Sequence, residues 1–216
     1  MDLDYLKKFP SIIGCDEVGR GPIAGPVNSC AVKISDSKTI EYLLSLNVTD
    51  SKKLSTKKRL IILDTLGVSL DDIKPMICHK LKSEKFEFEF CVGEKSPQEI
   101  DKINILQASL VSMKEASIEL KSEDSIILID GNKTFETPNE IEAVVKGDSK
   151  SVVIALASII AKEYRDKLMV EYSLIYPGYG LERHAGYPTV AHKAAVKELG
   201  VTPIHRKSFR GVKEFL

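Results

Sequence analysis

The chain has 216 residues, 43% of them hydrophobic, and its 31 basic and 31 acidic side chains give a formal net charge of zero. That length suits one domain, or one domain with a small appendage, and the composition supports a sizeable core. A neutral chain has no overall field to attract nucleic acid, so any such partner must be held by local charge. The longest apolar run, Val152 to Ala161 interrupted only by Ser158, is too short to span a bilayer, and the N-terminus lacks the apolar core of a secretory signal. Cys15, Cys30, Cys78 and Cys91 form no C-x-x-C pair and lie mostly in apolar stretches. They are expected to be buried thiols in a reducing compartment, and the protein to be cytoplasmic.

The first predicted strand, 11–17, runs through Ile12-Ile13-Gly14-Cys15 into two adjacent carboxylates, Asp16 and Glu17. Neighbouring residues on a strand point to opposite faces, so these two share a site only where the strand ends or bends. The turn that follows, Gly19-Arg20-Gly21, permits such a bend. Carboxylates gathered on bare backbone invite a hard cation such as magnesium or manganese. Glycines flanking an arginine invite a phosphate or a sugar edge. A dinucleotide fingerprint is excluded, because the glycines are spaced G-x-G-x-x-x-G and Pro22 stands where a helix would open.

A second strand is expected at 25–34. Ser51 to Arg59 then holds Lys52, Lys53, Lys57, Lys58 and Arg59 with no acid among them, either a solvated helix face or a phosphate-contacting one. Phe86-Glu87-Phe88-Glu89-Phe90 alternates with period two and predicts a strand at 86–92. The spacing of Ile105, Leu106, Leu110, Met113 and Ala116 predicts a helix over 104–120. Ser125-Ile126-Ile127-Leu128-Ile129 reads as a central strand ending in Asp130-Gly131-Asn132, where α/β sheets place their ligands. A short strand at 142–146 leads through Gly147 and Asp148 into a helix, largely apolar all round, that runs to Tyr172. Asp148 either flanks that helix N-terminus or faces a metal, and the two roles are compatible. Arg165 and Asp166 are expected to form a structural ion pair. A last helix spans about 190–199. His184, His192 and His205 match no standard ligand spacing, and Arg206, Lys207, Arg210 and Lys213 form a second basic cluster.

Several of these segments together resemble ribonuclease HII. They are Gly14-Cys15-Asp16-Glu17-Val18-Gly19-Arg20-Gly21-Pro22, Asp50-Ser51-Lys52-Lys53-Leu54, Asn104-Ile105-Leu106-Gln107-Ala108, Leu128-Ile129-Asp130-Gly131-Asn132, Val145-Lys146-Gly147-Asp148-Ser149-Lys150, Ala161-Lys162-Glu163-Tyr164-Arg165-Asp166, Tyr176-Pro177-Gly178-Tyr179-Gly180 and His205-Arg206-Lys207-Ser208-Phe209. They stand in the family's order from Ile12 to Phe209, and Arg20 between its glycines favours type HII over the related type HIII.

The resemblance implies an α/β ribonuclease H-like fold, with a five-stranded mixed sheet flanked by helices. It divides the chain into a catalytic domain at 1–175 and a substrate-contacting C-terminal helical extension at 176–216. It implies an endonuclease that hydrolyses the RNA strand of RNA–DNA hybrids and nicks on the 5′ side of single ribonucleotides embedded in duplex DNA. Asp16, Glu17, Asp130 and Asp148 would hold two Mg2+ or Mn2+ ions and leave 3′-hydroxyl and 5′-phosphate ends. Gly19, Arg20 and Gly21 would sense the 2′-hydroxyl, Tyr187 would stack on the following deoxyribose, and Lys52, Lys53 and Arg206 would meet phosphates. The pattern departs at Ala185, where the family carries a lysine, and Pro188 restrains Tyr187 toward extended backbone. A monomer is the default, and Lys213-Glu214-Phe215-Leu216 carries no trusted sliding-clamp motif. The alternatives are a resolvase-like DNA nuclease of the same fold and a non-catalytic hybrid-binding module.

Overall fold

A computed structural model describes residues 1–216. The strands are β1 (Ile12–Val18), β2 (Val27–Ile34), β3 (Cys78–Lys82), β4 (Glu87–Lys95), β5 (Ile126–Asp130) and β6 (Glu140–Val144). The helices are α1 (Asp2–Tyr5), α2 (Ser37–Ser45), α3 (Thr56–Thr65), α4 (Pro97–Ile103), α5 (Ile105–Glu119), α6 (Val152–Ile175), α7 (Leu181–His184) and α8 (Val190–Leu199). Single 3₁₀ turns at Ser51–Lys53 and Gly147–Ser149 lie between them. No helix is long and apolar enough to cross a membrane.

The strands form one six-stranded mixed sheet in the order β3-β4-β2-β1-β5-β6. β1 pairs antiparallel with β2 and parallel with β5, which pairs parallel with β6. The expected count of five is corrected by β3, an edge strand whose residues alternate between exposed and half-buried. Lys80 and Lys82 point outward from it and pair across the ladder with Glu87, a charged finish that protects a sheet edge from further pairing. Cys78 is exposed on this edge, whereas Cys15, Cys30 and Cys91 are buried as expected.

Period-two alternation divides the core. Ile12, Ile126 and Leu128 face α6 and join the larger cluster with Val153, Ile154 and Ala157. Ile13, Cys15, Ile127 and Ile129 face α5 and pack with Met113 and Ala116. α6 begins at Val152, capped by Ser151, whose hydroxyl accepts the Ile154 N–H, and by Asp2, whose carboxylate accepts the Val152 N–H at 2.7 Å. It lies directly on β1 at Gly14, where a Cβ would come within 2.6 Å of the Ile154 backbone nitrogen. A third apolar cluster joins Tyr179, Leu181, Val196 and Ile204 to Met169 of α6 and Ala24.

Candidate active site

The carboxylate cluster follows from strand register. The last β1–β5 pair is Cys15 with Ile129. One step further, Asp16 and Asp130 stand side by side, and in a parallel pair residues in step share a face. Both therefore lie on the α6 side. β6 ends opposite Asp130, at Val144, and the turn after it carries Asp148 back over the strand tips. Gly147 makes this possible. Its N–H donates to Asp130 Oδ1 at 2.6 Å, and a Cβ there would lie 3.3 Å from that oxygen and 2.7 Å from Ile154 Cδ1. Carboxylate oxygens of Asp16, Asp130 and Asp148 all fall within 4.8 Å of one another.

Glu17 is set apart from these three. Its strand continues to Val18, so alternation turns it toward α5. There it pairs with Arg20, Nη1 to Oε1 at 3.1 Å, and lines a cleft with Arg20, Leu106, Met113 and Asp130. Burial, then the charge of Glu17, holds the Asp16 carboxyl well above the ordinary carboxylate range. Asp148 is raised by burial and by the charge of Asp130, and Glu17 by burial against the opposing pull of Arg20. Three convergent carboxylates, two of them buried, with no lysine or arginine paired to them form a donor set that suits a hard divalent cation.

The Gly19-Arg20-Gly21 turn is held from beneath by two buried arginines that have no carboxylate partner. Arg206 donates from Nη2 to the Gly19 carbonyl at 2.6 Å, from Nη1 to that of Arg20 at 3.1 Å, and from Nε to that of Gly25 at 2.9 Å. Arg165 donates to the carbonyls of Pro26, Ala24 and Ala185 at 3.2, 3.1 and 2.9 Å. Burial lowers the pKa of Arg206 to about 9 and of Arg165 to about 10. Arg206 is 0% exposed with its guanidinium on backbone carbonyls, so the direct phosphate contact expected of it is corrected. The expected Arg165–Asp166 pair is also corrected, since Asp166 bonds Lys162 at 2.6 Å. With the carbonyls drawn inward, the N–H groups of Arg20 and Gly21 meet no acceptor within the protein. The half-exposed Tyr187 ring lies against this turn, its Cε1 3.2 Å from where a Gly21 Cβ would be.

Lys52 and Lys53 are exposed beside the carboxylates, with Lys53 Nζ 3.2 Å from the Ser149 hydroxyl and 3.6 Å from Asp50. Arg59, counted with them as basic surface, is buried on Glu163 at 2.5 Å and donates to the Ser51 and Leu54 carbonyls, fixing their loop to α6. Sequence reasoning passed over Asp50 and Arg165 as site-shaping residues. Asp50 adjoins Asp148, and its place in Asp50-Ser51-Lys52-Lys53-Leu54 was the available signal.

A mixed sheet whose central parallel strands set two aspartates side by side, with a third delivered by the turn before the covering helix, defines a metal-dependent nuclease of the ribonuclease H-like fold. The family described as Ribonuclease HII matches residues 13–212, and the chain belongs to that family. It is 44% identical over 213 residues to the ribonuclease HII of Vibrio parahaemolyticus, covering 99% of this chain and 90% of that protein. Against the ribonuclease HII of Vibrio cholerae it is 42% identical over 208 residues, covering 96% and 90%. The crystal structure of ribonuclease H2 from Pyrococcus horikoshii superposes with a TM-score of 0.70 at 25% identity, over 95% of this chain and 96% of that one. The protein is a divalent-metal-dependent endoribonuclease acting on the RNA strand of RNA–DNA hybrids.

Proposed function

We propose that the enzyme nicks duplex DNA on the 5′ side of a single embedded ribonucleotide, as well as cutting longer hybrids, and leaves 3′-hydroxyl and 5′-phosphate ends. Asp16, Asp130 and Asp148 would hold the divalent cations, Mg2+ or Mn2+, with Glu17 completing the set from the α5 side once it leaves Arg20. Two such ions supply an activated water for attack on phosphorus and stabilise the departing 3′ oxygen. The protein's own part is to orient the strand. The free N–H groups of Arg20 and Gly21 offer donors at the ribose 2′-hydroxyl, the group that separates RNA from DNA. Tyr187 offers its ring to the next sugar, and Lys52 and Lys53 offer phosphate contacts beside Asp148. Residues 1–175 act as the catalytic domain and 176–216 as the substrate-contacting extension of a monomer.

The observation that carries this reading is the contact between Tyr187 and Gly21: the residue offered to the deoxyribose abuts the turn offered to the ribose. An end-labelled DNA duplex with one ribonucleotide tests it, alongside a long hybrid and an all-DNA duplex. A metal-dependent nick 5′ to the ribonucleotide, absent with Asp16→Asn, is expected. Cleavage of the long hybrid alone would remove junction reading, and cleavage of all-DNA duplex would point to a resolvase-like nuclease.

A further inference from the structure

The three late histidines belong to no metal site, yet two of them are completely enclosed: His192 is 0% exposed and His205 is 1% exposed. Their hydrogen bonds admit one arrangement of protons. The Thr202 backbone N–H donates to His205 Nδ1 at 3.1 Å, with the Thr202 hydroxyl 2.8 Å from the same nitrogen. A nitrogen that accepts an N–H carries no proton, so the His205 proton is on Nε2. That Nε2 is 3.3 Å from His192 Nε2, which must then accept, leaving the His192 proton on Nδ1. His192 Nδ1 lies 3.0 Å from the Tyr187 carbonyl oxygen, where a proton is required. Donation therefore runs one way, from Thr202 through His205 and His192 to Tyr187, and both rings are neutral. An added proton on His192 would set N–H against N–H at the central link, and one on His205 Nδ1 would set N–H against the Thr202 N–H. Burial accordingly lowers both groups, His205 to about 4, with the His192 charge adding to the effect.

The segments that this path joins flank the limb of chain below the Gly19-Arg20-Gly21 turn. The Ile23 N–H donates to the Gly186 carbonyl at 2.9 Å, and the Ile23 carbonyl accepts the Arg206 N–H at 2.9 Å. The limb descending from the Gly19-Arg20-Gly21 turn is thus stitched between the Tyr187 loop and the His205-Arg206 segment. Arg206 fixes the turn, and the histidines join its neighbour to the Tyr187 backbone.

We propose that His205 and His192 form a one-way hydrogen-bond wire that sets the Tyr187 backbone against the Gly19-Arg20-Gly21 turn, which makes His192 a positioning residue for single-ribonucleotide recognition. This rests on the junction reading by Tyr187 and deepens it. His192→Leu removes the donor to Tyr187 while keeping an apolar filling, whereas His192→Asn keeps an N–H in place of Nδ1.

The intact enzyme is assayed on the single-ribonucleotide duplex and on a long hybrid. His192→Leu is expected to raise KM for the former about tenfold, the scale of one buried hydrogen bond, with kcat on the hybrid unchanged. His192→Asn is expected to restore most of the difference. Equal loss on both substrates, or no loss, would overturn the proposal. Tyr187→Ala separates the layers: if it leaves the substrate preference untouched, junction reading itself fails and the proposal with it. If Tyr187→Ala shifts the preference and His192→Leu does not, the wire alone is refuted. Nitrogen-15 NMR of the unmutated protein needs no variant to fold. It should show neutral rings with His192 protonated at Nδ1 and His205 at Nε2, and an imidazolium or the reverse pair of tautomers at pH 7 would overturn the proposal.

Discussion

Gly19 sits at φ +91° directly above the Arg165 side chain, and a Cβ at this position would collide with Nε and lie 2.8 Å from Cδ. Two constraints therefore coincide at one residue: the left-handed backbone that glycine alone adopts freely, and a guanidinium that has no room to retreat. Arg165 cannot simply swing away, because the buried Ala24 carbonyl would be left unpaired and the half-buried Ala185 carbonyl would lose its side-chain donor. Gly19→Ala is expected to cost about 1–3 kcal/mol of stability through strain. It should also cost on the order of 10²-fold in cleavage, since a displaced turn misplaces the sugar it orients. Thermal unfolding and steady-state cleavage of a long hybrid measure the two effects. Retained activity with lowered stability would mean that the turn reseats when substrate binds.

The pairing of β1 with α6 brings the catalytic elements together. At Gly14 a Cβ would lie 2.6 Å from the Ile154 nitrogen and 2.7 Å from the Val153 carbonyl carbon, both backbone atoms. Gly14→Ala must therefore lift the first turn of α6 rather than turn a side chain. Overpacking of this kind costs about 1–3 kcal/mol, a fall in Tm of roughly 2–4 °C for each kcal/mol in a chain of this size. Because Asp148 precedes that turn by only a few residues, divalent-cation affinity should fall as well, as titration calorimetry would show. Unchanged affinity would place the carboxylates independently of the helix.

Much of this element scale was legible in the sequence. The β-branched run 126–129 marked β5, the helical spacing marked α5, and the acids at the ends of apolar runs marked the cluster. The rest was hidden for physical reasons. Asp16 and Glu17 could share a face only where their strand ends or bends, but β1 continues to Val18 and does neither at these residues. β3 carries two lysines and only half-buried inward residues, so it lacks the apolar contrast that reveals a strand. Arg206 looked like surface charge and Arg165 like half of an ion pair with Asp166, because charged side chains are seldom enclosed without a charged partner. Their partners are backbone carbonyls, which no residue pattern displays.

At the scale of the whole molecule, a cluster built to hold cations is a liability without them. Asp16, Glu17 and Asp148 are all raised above the ordinary carboxylate range, chiefly by burial. Over a pH window that opens near the unperturbed aspartate value of 3.8 and closes at the raised values, the folded chain keeps protons that the unfolded chain has released. Stability therefore falls as pH rises through that window. Their contribution is intact below it and lost above it. Divalent cations bind the ionised form in the folded state alone and should offset this loss by mass action. In chelator, Asp148→Asn is thus expected to melt higher than the unmutated protein at neutral pH and to match it near pH 4. With added magnesium or manganese the order should narrow or reverse, while cleavage by the variant falls on the order of 10²-fold or more, as loss of a metal-holding group requires. Calorimetric scans across pH, with chelator and with cation, measure both halves. A variant that melts lower than the unmutated protein in chelator at neutral pH would show that Asp148 stabilises the fold, and that the acids are not held in mutual repulsion for the cation.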